Sequence, residues 1–362
     1  MKSVKHLLSV CLLTAIIFGQ ASAQNKGEFF DILYATPKDA NTFLNSYLSP
    51  ITKGLGYGMT TGWYTTAKPH NTLGFDISVS MSTVFVPKSD QSFTFQNSDY
   101  TNLELANGTQ AEIPTVIGPN DNTPVLRIVD HDATYGDVTL ANFNAPSGLG
   151  FKKKIGFAGI PVPILSFGIG LVKNTDLKFR FIPDIANNVK YSFWGIGLMH
   201  DITQWIPVVD KLPIDISILA AYSNFKFDYP MTESESGWTG SNQDLNGRTN
   251  GFTIEALVSK KISVLTLLVG LGYDHSSTKF NIDGNYDIDY SDLSSTWPAG
   301  YSIPGSTNNV VTYTDPIALS GKNGGVKLTG GLRLQFAVIT LDFNYTLGSY
   351  NVLNTGLGVT FR

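Results

Sequence analysis

The sequence predicts an all-β fold, a transmembrane antiparallel β-barrel of 12–14 strands, with a short N-terminal helix plugging or lidding the periplasmic mouth. Three observations predict it. The composition is charge-poor and rich in small and aromatic residues: of 362 residues, 42% are hydrophobic, 12% aromatic and only 15% charged, with 35 Gly. An ordinary soluble domain carries roughly a quarter charged residues. Long runs alternate apolar and small or polar side chains with period two, the periodicity of a strand with one apolar face. Finally, tight turns alternate along the chain with long polar connections, as in barrels that cross an outer membrane.

The first element is an address. Lys2 and Lys5, the apolar run Leu7 to Phe18 and the small residues Ala21-Ser22-Ala23 form a secretory signal over residues 1–23. The apolar run is too short for a membrane-crossing helix, which needs about 17–25 residues. Cys11, the only cysteine, lies inside the signal, so the exported chain has no disulfide, thiolate metal site or thiol nucleophile. With 25 Lys+Arg against 29 Asp+Glu there is no basic excess, which argues against nucleic acid as a partner.

Residues 24–50 read as an N-terminal helical segment. Thr36-Pro37-Lys38-Asp39 is a capping box with Pro at the first helical position. Ala40, Phe43, Leu44, Tyr47 and Leu48 then recur on one helical face, and Pro50 is expected to end it. A lone helix of this length needs a partner, so Phe43, Leu44, Tyr47 and Leu48 are candidate plug residues against the barrel.

Residues 51–362 read as the barrel. Leu73, Phe75, Ile77, Val79, Met81 and Phe85 oppose Gly74, Asp76, Ser78, Ser80 and Ser82. Leu165 to Leu171, Val326 to Phe336, Ile339 to Leu347 and Leu353 to Phe361 repeat the pattern. The predicted strands are 55–66, 72–86, 164–172, 176–182, 189–199, 213–227, 250–259, 263–273, 325–336, 339–348 and 352–362. Stretch 88–160 is expected to add at least one more, with Val125 to Val129, Asp137 to Phe143 and Ile155 to Ile160 as candidates, because bacterial barrels have even strand counts. The long polar stretches 228–250 and 275–324 read as external loops, and the tight turns at 259–262 and 337–338 as periplasmic. A secreted β-sandwich also alternates, but its polar face meets bulk water; here that face is mostly Gly and Ser. The charges on it, Asp76, Lys178, Arg180, Asp215, Glu255, Lys327, Arg333 and Asp342, are therefore candidate lumen-lining residues.

Several words of the sequence carry a resemblance. Asp39-Ala40-Asn41, Tyr47-Leu48 and Pro50 are followed by Gly62-Trp63-Tyr64-Thr65-Thr66-Ala67-Lys68 and Gly74-Phe75-Asp76. Lys173-Asn174-Thr175-Asp176 and His200-Asp201-Ile202-Thr203-Gln204-Trp205-Ile206-Pro207 come later. Together these resemble a functionally uncharacterised family of Gram-negative outer-membrane β-barrel proteins. The helix-then-barrel layout more distantly resembles the long-chain fatty-acid outer-membrane channel family, whose N-terminal segment plugs the barrel. The chain departs from the usual aromatic terminus of such barrels: Phe361 is penultimate and Arg362 last.

No constellation of catalytic residues stands out. His70 lies in a turn and His200-Asp201 in a connection, neither beside an evident Ser nucleophile, and Asp130-His131-Asp132 alternate across a strand. Asp283, Asn285, Asp287, Asp289 and Asp292 place oxygens at alternate positions but lack the turn glycine and terminal Glu of an EF-hand, so a solvated acidic loop is expected rather than a calcium site. The sequence thus predicts no enzyme, no cofactor and no metal site. It predicts an outer-membrane location, lipid and the barrel-assembly machinery as partners, and a passive channel for small molecules with a small hydrophobic ligand as candidate cargo. The alternative is an interaction barrel with a closed lumen and partner-binding external loops.

Overall fold

The computed structural model describes residues 30–182, 190–206, 212–231 and 238–361; the predicted signal segment lies outside the described residues. Ten strands close into one antiparallel sheet: β1 (Phe75–Phe85), β2 (Gly159–Leu171), β3 (Thr175–Ile182), β4 (Lys190–Asp201), β5 (Asp215–Pro230), β6 (Thr239–Ile262), β7 (Leu265–Asp289), β8 (Ile317–Phe336), β9 (Ile339–Leu347) and β10 (Asn351–Phe361). Each strand pairs with its neighbours in sequence, and β10 closes on β1 with Phe75 opposite Phe361 and Phe85 opposite Asn351. One end of the barrel carries tight turns, at 263–264 and 337–338 among others. The opposite end carries the long connections 86–158 and 290–316.

The strand number corrects the expected 12–14. Stretch 55–66 is not a strand, and 88–160 adds none to the wall before β2 begins at Gly159. Instead, helix α1 spans Pro37–Thr60, running through Pro50 rather than ending there. The alternation of Gly54, Gly56 and Gly58 with Leu55, Tyr57 and Met59 imitates a strand, but those glycines serve a helix in a confined space. Residues 86–158 form a separate head beyond the barrel rim. Its parts are a hairpin of Ser92–Gln96 with Gln110–Pro114, a sheet of Leu103–Leu105, Val125–Asp132 and Gly136–Asn144, and a short helix, Phe151–Ile155.

The wall is also taller than expected on one side. Stretches 228–250 and 275–324 are largely strand, because β5 runs to Pro230, β6 starts at Thr239, β7 reaches Asp289 and β8 starts at Ile317. Beyond the membrane the outward face is solvated, so no apolar stripe marks these extensions in the sequence. Val310–Thr314 adds a short strand on the end of β7.

The placement of α1 corrects the plug expected at the periplasmic mouth. Its first half is the core of the head, at the end opposite the tight turns. Phe43 meets Phe93 edge-on at 5.5 Å, and the Tyr47 hydroxyl donates to Ser147 O at 2.8 Å. Phe43 and Leu44 are fully buried, with Tyr47 and Leu48 nearly so. Only half of the capping box forms. Thr36 Oγ1 accepts from Asp39 N at 3.4 Å, but the Asp39 carboxylate turns outward to accept from the backbone of Thr101, Asn102 and Leu103 at 2.7, 2.7 and 3.2 Å. Asn41 clamps the start of β8, donating to Pro316 O and accepting from Ala318 N, both at 2.8 Å.

Below the head the outer surface is apolar. On β6 the outward side chains from Phe252 to Ile262 are exposed, including Ile254 and Val258, and Leu267, Val269, Leu271 and Tyr273 continue the face on β7. Residues 252–262 cover about 26 Å of height at ~3.4 Å per residue and a tilt of about 40°, the height of a lipid-facing band. Aromatic rings edge this band on the head side: Trp194 and Tyr222 at 5.6 Å, Phe85 and Phe157 at 5.4 Å, with Phe252 and Tyr273 between. Phe75 and Phe361, 4.9 Å apart, edge it at the tight-turn end. Such girdles mark the two interfaces of a membrane barrel.

The band makes a position-dependent prediction. Val269→Arg, in mid-band on the outer face, lowers unfolding stability in lipid by about 2–4 kcal/mol, whereas Thr239→Arg, at the exposed outer end of β6, leaves it nearly unchanged. Urea unfolding in phosphatidylcholine vesicles, followed by heat-modifiable gel mobility, measures the difference.

Candidate functional site

The barrel is filled. The second half of α1 descends into the lumen and the extended chain 61–73 continues to the tight-turn end, where β1 begins. An eight-stranded barrel encloses just enough room for its own side chains, and width grows with strand number. A helix with ordinary side chains is about 10–12 Å across, so a ten-stranded lumen admits one only if both surfaces are thinned. That is what the glycines do. A Cβ at Gly56 would collide with Ser276 Oγ, and one at Gly58 would lie 2.6 Å from Val162 Cγ2. The wall is thinned reciprocally: Cβ atoms at Gly195 and Gly197 would press on the Trp63 ring at 2.9 and 3.1 Å, and one at Gly270 would collide with the Tyr64 hydroxyl.

Charged wall residues tie the segment in place. Lys327 Nζ lies 3.0 Å from Glu255 Oε1 and 3.9 Å from Asp274 Oδ2, and donates to Thr60 O at 2.7 Å, the last residue of α1. Thr60 Oγ1 donates to Asp274 Oδ2 at 3.0 Å, and the Tyr64 hydroxyl donates to Glu255. Arg180 donates to Thr61 O at 2.8 Å with its guanidinium 4.0 Å over the Trp63 ring, a cation–π contact. Arg333 donates to Thr65 Oγ1 at 2.9 Å and faces Asp342 at 3.7 Å, while Asn344 donates to Tyr64 O at 2.9 Å. Carbonyls freed at the end of α1 therefore receive cations, the preferred partners of a helix C-terminus.

At the tight-turn end the segment is anchored by His70. Its backbone N donates to Asp176 Oδ1 at 2.8 Å, its Nδ1 lies 2.9 Å from Asp176 Oδ2, and its Nε2 lies 3.1 Å from Thr360 Oγ1. The hydroxyl–imidazole–carboxylate order is that of a nucleophile triad, but His70 is 3% exposed, Thr360 2% and Asp176 fully buried. No substrate reaches them, and the geometry is that of a clasp joining chain to wall. Nearby, Thr175 Oγ1 and Trp205 Nε1 hold the two nitrogens of His200 at 2.8 and 3.0 Å.

The structure brings Arg180, Glu255, Lys327, Arg333 and Asp342 inside the wall, all 5% exposed or less. Asp76 and Lys178 line a small interior cavity beside Trp63 and Tyr64, and Asp215 lies half-buried at the tight-turn rim. The cavity measures about 40 Å³ and is bounded by polar groups such as Asn344, Asn354 and Arg180; that is room for a few waters. Phe43, Leu44, Tyr47 and Leu48 are not in the lumen at all. The residues that fill it, Thr60, Trp63 and Tyr64, escaped sequence reasoning because 55–66 alternates like a strand. Asp274 was legible by parity, since it falls on the face of β7 shared by Thr266, Gly270 and Gly272.

A second concavity opens on the head. It is an open groove of about 660 Å³ between α1 and the hairpin, lined by Asn45, Ser46, Ser49, Phe93, Thr94 and Glu112 among others. Its deep edge is a polar lock: Lys53 Nζ and the Tyr350 hydroxyl meet Asp90 Oδ2 at 2.5 and 2.6 Å. Burial alone would raise the Asp90 carboxyl, but the Lys53 and Tyr350 hydrogen bonds outweigh it and hold the group below the ordinary carboxylate range. Most of the acidic run 283–292 is strand and not loop, with only Asp292 in the connection beyond β7. Asp283, Asp287 and Asp289 lie along β7, accepting from Asn246 Nδ2, Thr312 Oγ1 and Ser291 N. Among the described residues no group of His, Cys, Asp or Glu is placed to hold a metal.

A family of unknown function (DUF6588) matches residues 1–361. The chain belongs to it. No curated protein matches. Similar solved structures include Ail, the attachment invasion locus protein of Yersinia pestis, at 9% identity and TM-score 0.25, covering 80% of this chain and 99% of that one. The transport unit of the autotransporter AIDA-I from Escherichia coli aligns at 9% identity and TM-score 0.27, covering 90% and 99%. The outer membrane protease OmpT from Escherichia coli aligns at 7% and TM-score 0.26, covering 80% and 97%. The barrel itself rests on its own strand pairings, not on these loose likenesses.

Among the described residues Lys327 is one of three buried wall cations, each 3% exposed, and it faces two carboxylates. Lys327→Met leaves Glu255 and Asp274 without their counter-charge and costs about 3–5 kcal/mol of stability. Adding Glu255→Gln and Asp274→Asn to that variant recovers much of the loss. Chemical unfolding of the three proteins in detergent micelles reads both outcomes.

Proposed function

We propose that this protein is an outer-membrane barrel that does not conduct, and that it acts through its head as a binding module. The head lies outside, with the tight turns in the periplasm, as is usual for bacterial barrels. The observation that carries the reading is the continuous occupation of the lumen by the second half of α1 and residues 61–73, bonded to the wall at Lys327, Glu255, Arg180, Arg333 and Asp176. The interior cavity, about 40 Å³, is far below the roughly 300–1,000 Å³ of a small-molecule site. An acyl chain has no room there, so the cavity offers no support for the fatty-acid cargo that the sequence resemblance implies.

The head groove, about 660 Å³, is of ligand size. Its hydroxyl, amide and carboxylate groups beside the Phe93 ring suit a polar, hydroxyl-rich ligand such as a glycan. Transport of small molecules is the second reading, favoured by the polar character of the contacts between segment and wall, which water is able to replace if the segment moves.

Planar-bilayer recording of the full chain separates the two. The closed-barrel reading expects no steady open level below about 100 mV, and reproducible ohmic steps overturn it. Binding at the groove is checked on a glycan array, where Glu112→Gln and Asn45→Ala are expected to weaken any signal that the full chain gives.

A further inference from the structure

The outward face of β5 to β8 changes chemistry in a fixed order on leaving the apolar band. Along β6 it reads Ile254, Phe252, Asn250, Arg248, Asn246, Asp244; along β5, Ile218, Ala220, Tyr222, Asn224, Lys226, Asp228. Along β7 it reads Leu271, Tyr273, His275, Ser277, Lys279, Asn281, Asp283, and β8 carries Lys322 beyond Val326. Four cations thus gather on adjacent strands just above the aromatic girdle. Lys226 is the register partner of Arg248, and Arg248 of Lys279. Lys322 pairs with Ser277, which puts it diagonal to Lys279.

All four are exposed, and among the described residues none has a carboxylate within ion-pair distance. Like charges directly opposite one another destabilise an antiparallel pair, so three in register call for a counter-anion from outside the chain. The depth identifies it. The girdle rings Tyr222, Phe252 and Tyr273 lie at the membrane interface, and the cations stand four to six residues farther along each strand. Acids, Asp228, Asp244 and Asp283, begin only beyond them and set an outer limit. Elsewhere on the circumference Lys152 and Lys154 are likewise exposed just before the girdle ring Phe157.

We propose that Lys226, Arg248, Lys279 and Lys322 form a binding site for the phosphorylated headgroup of a lipid in the surrounding leaflet. The Asn250 amide and the Ser277 hydroxyl supply neutral polar groups beside the phosphate oxygens. The site rests on the reading that the apolar band sits in lipid.

The test uses the full chain, compared with Lys226→Gln/Arg248→Gln/Lys279→Gln and with the charge-keeping Lys226→Arg/Lys279→Arg. Each is titrated in detergent with phosphatidic acid, with phosphatidylcholine and with inorganic phosphate, and bound lipid is counted by native mass spectrometry. The triple Gln variant is expected to bind phosphatidic acid about a hundredfold more weakly, at roughly fivefold per cation removed, with the Arg variant close to the parent and phosphatidylcholine unaffected. Equal retention of phosphatidic acid by parent and triple Gln variant overturns the site. So does complete displacement of the lipid by millimolar inorganic phosphate, which would make the ligand a soluble anion. Insertion into neutral phosphatidylcholine vesicles is scored separately: a folded parent that fails to insert overturns the membrane reading itself, and the site with it.

Discussion

Everything in this molecule follows from a constraint of volume. Ten strands enclose slightly more space than their own side chains fill, and slightly less than an ordinary helix needs. The chain resolves the mismatch from both sides. It strips α1 to glycine at positions 54, 56 and 58, and it strips the wall to glycine at 195, 197, 251 and 270 where Trp63, Thr60 and Tyr64 pass. The result is an interior in which these small residues indicate contact and not vacancy.

Polar groups then decide how the packed segment is held. A helix ending inside a barrel exposes carbonyls away from bulk water, and leaving them unpaired is costly. Lys327 and Arg180 answer the carbonyls of Thr60 and Thr61, and Glu255 and Asp274 balance Lys327. Breaking one partner of such a buried pair is costly, whereas well-packed apolar groups in place of the whole set would often serve stability equally well. The same segment joins three levels, since Asn41 grips the rim of β8, Thr60 the lumen and His70 the tight-turn end. Head and barrel are therefore one structure threaded by residues 30–73.

How much of this the sequence discloses depends on which solvent each face meets. Where the outer face meets lipid, alternation is stark, and β1, β9 and β10 are legible to within about three residues of their ends. Beyond the membrane both faces of β6 and β7 carry polar residues, the contrast vanishes, and strands of 24 and 25 residues read as short strands with loops. Strand parity also assigns Glu255, Lys327 and Arg333 to the inner face, but parity carries no information on what they meet there. Gly54 to Gly58 are the clearest ambiguity: a period-two pattern is produced by a lipid-facing strand and by a helix thinned on alternate residues. The cap at Thr36 and the apolar face from Ala40 to Leu48 argue for a helix, but Pro50 argues against its continuation. Packing inside the barrel outweighed the lost hydrogen bond at Pro50.

The filled lumen is tested most directly by a cross-link between segment and wall. In the folded protein Thr52 Cβ lies 3.6 Å from the position a Cβ would take at Gly321, within the range for a disulfide, and the only native cysteine is Cys11. Thr52→Cys/Gly321→Cys, expressed into the outer membrane and oxidised there, should form an intramolecular disulfide in nearly every molecule, seen as a mobility shift reversed by reductant. Two free thiols, with the one introduced on α1 open to a bulky maleimide added outside the cell, would contradict the account.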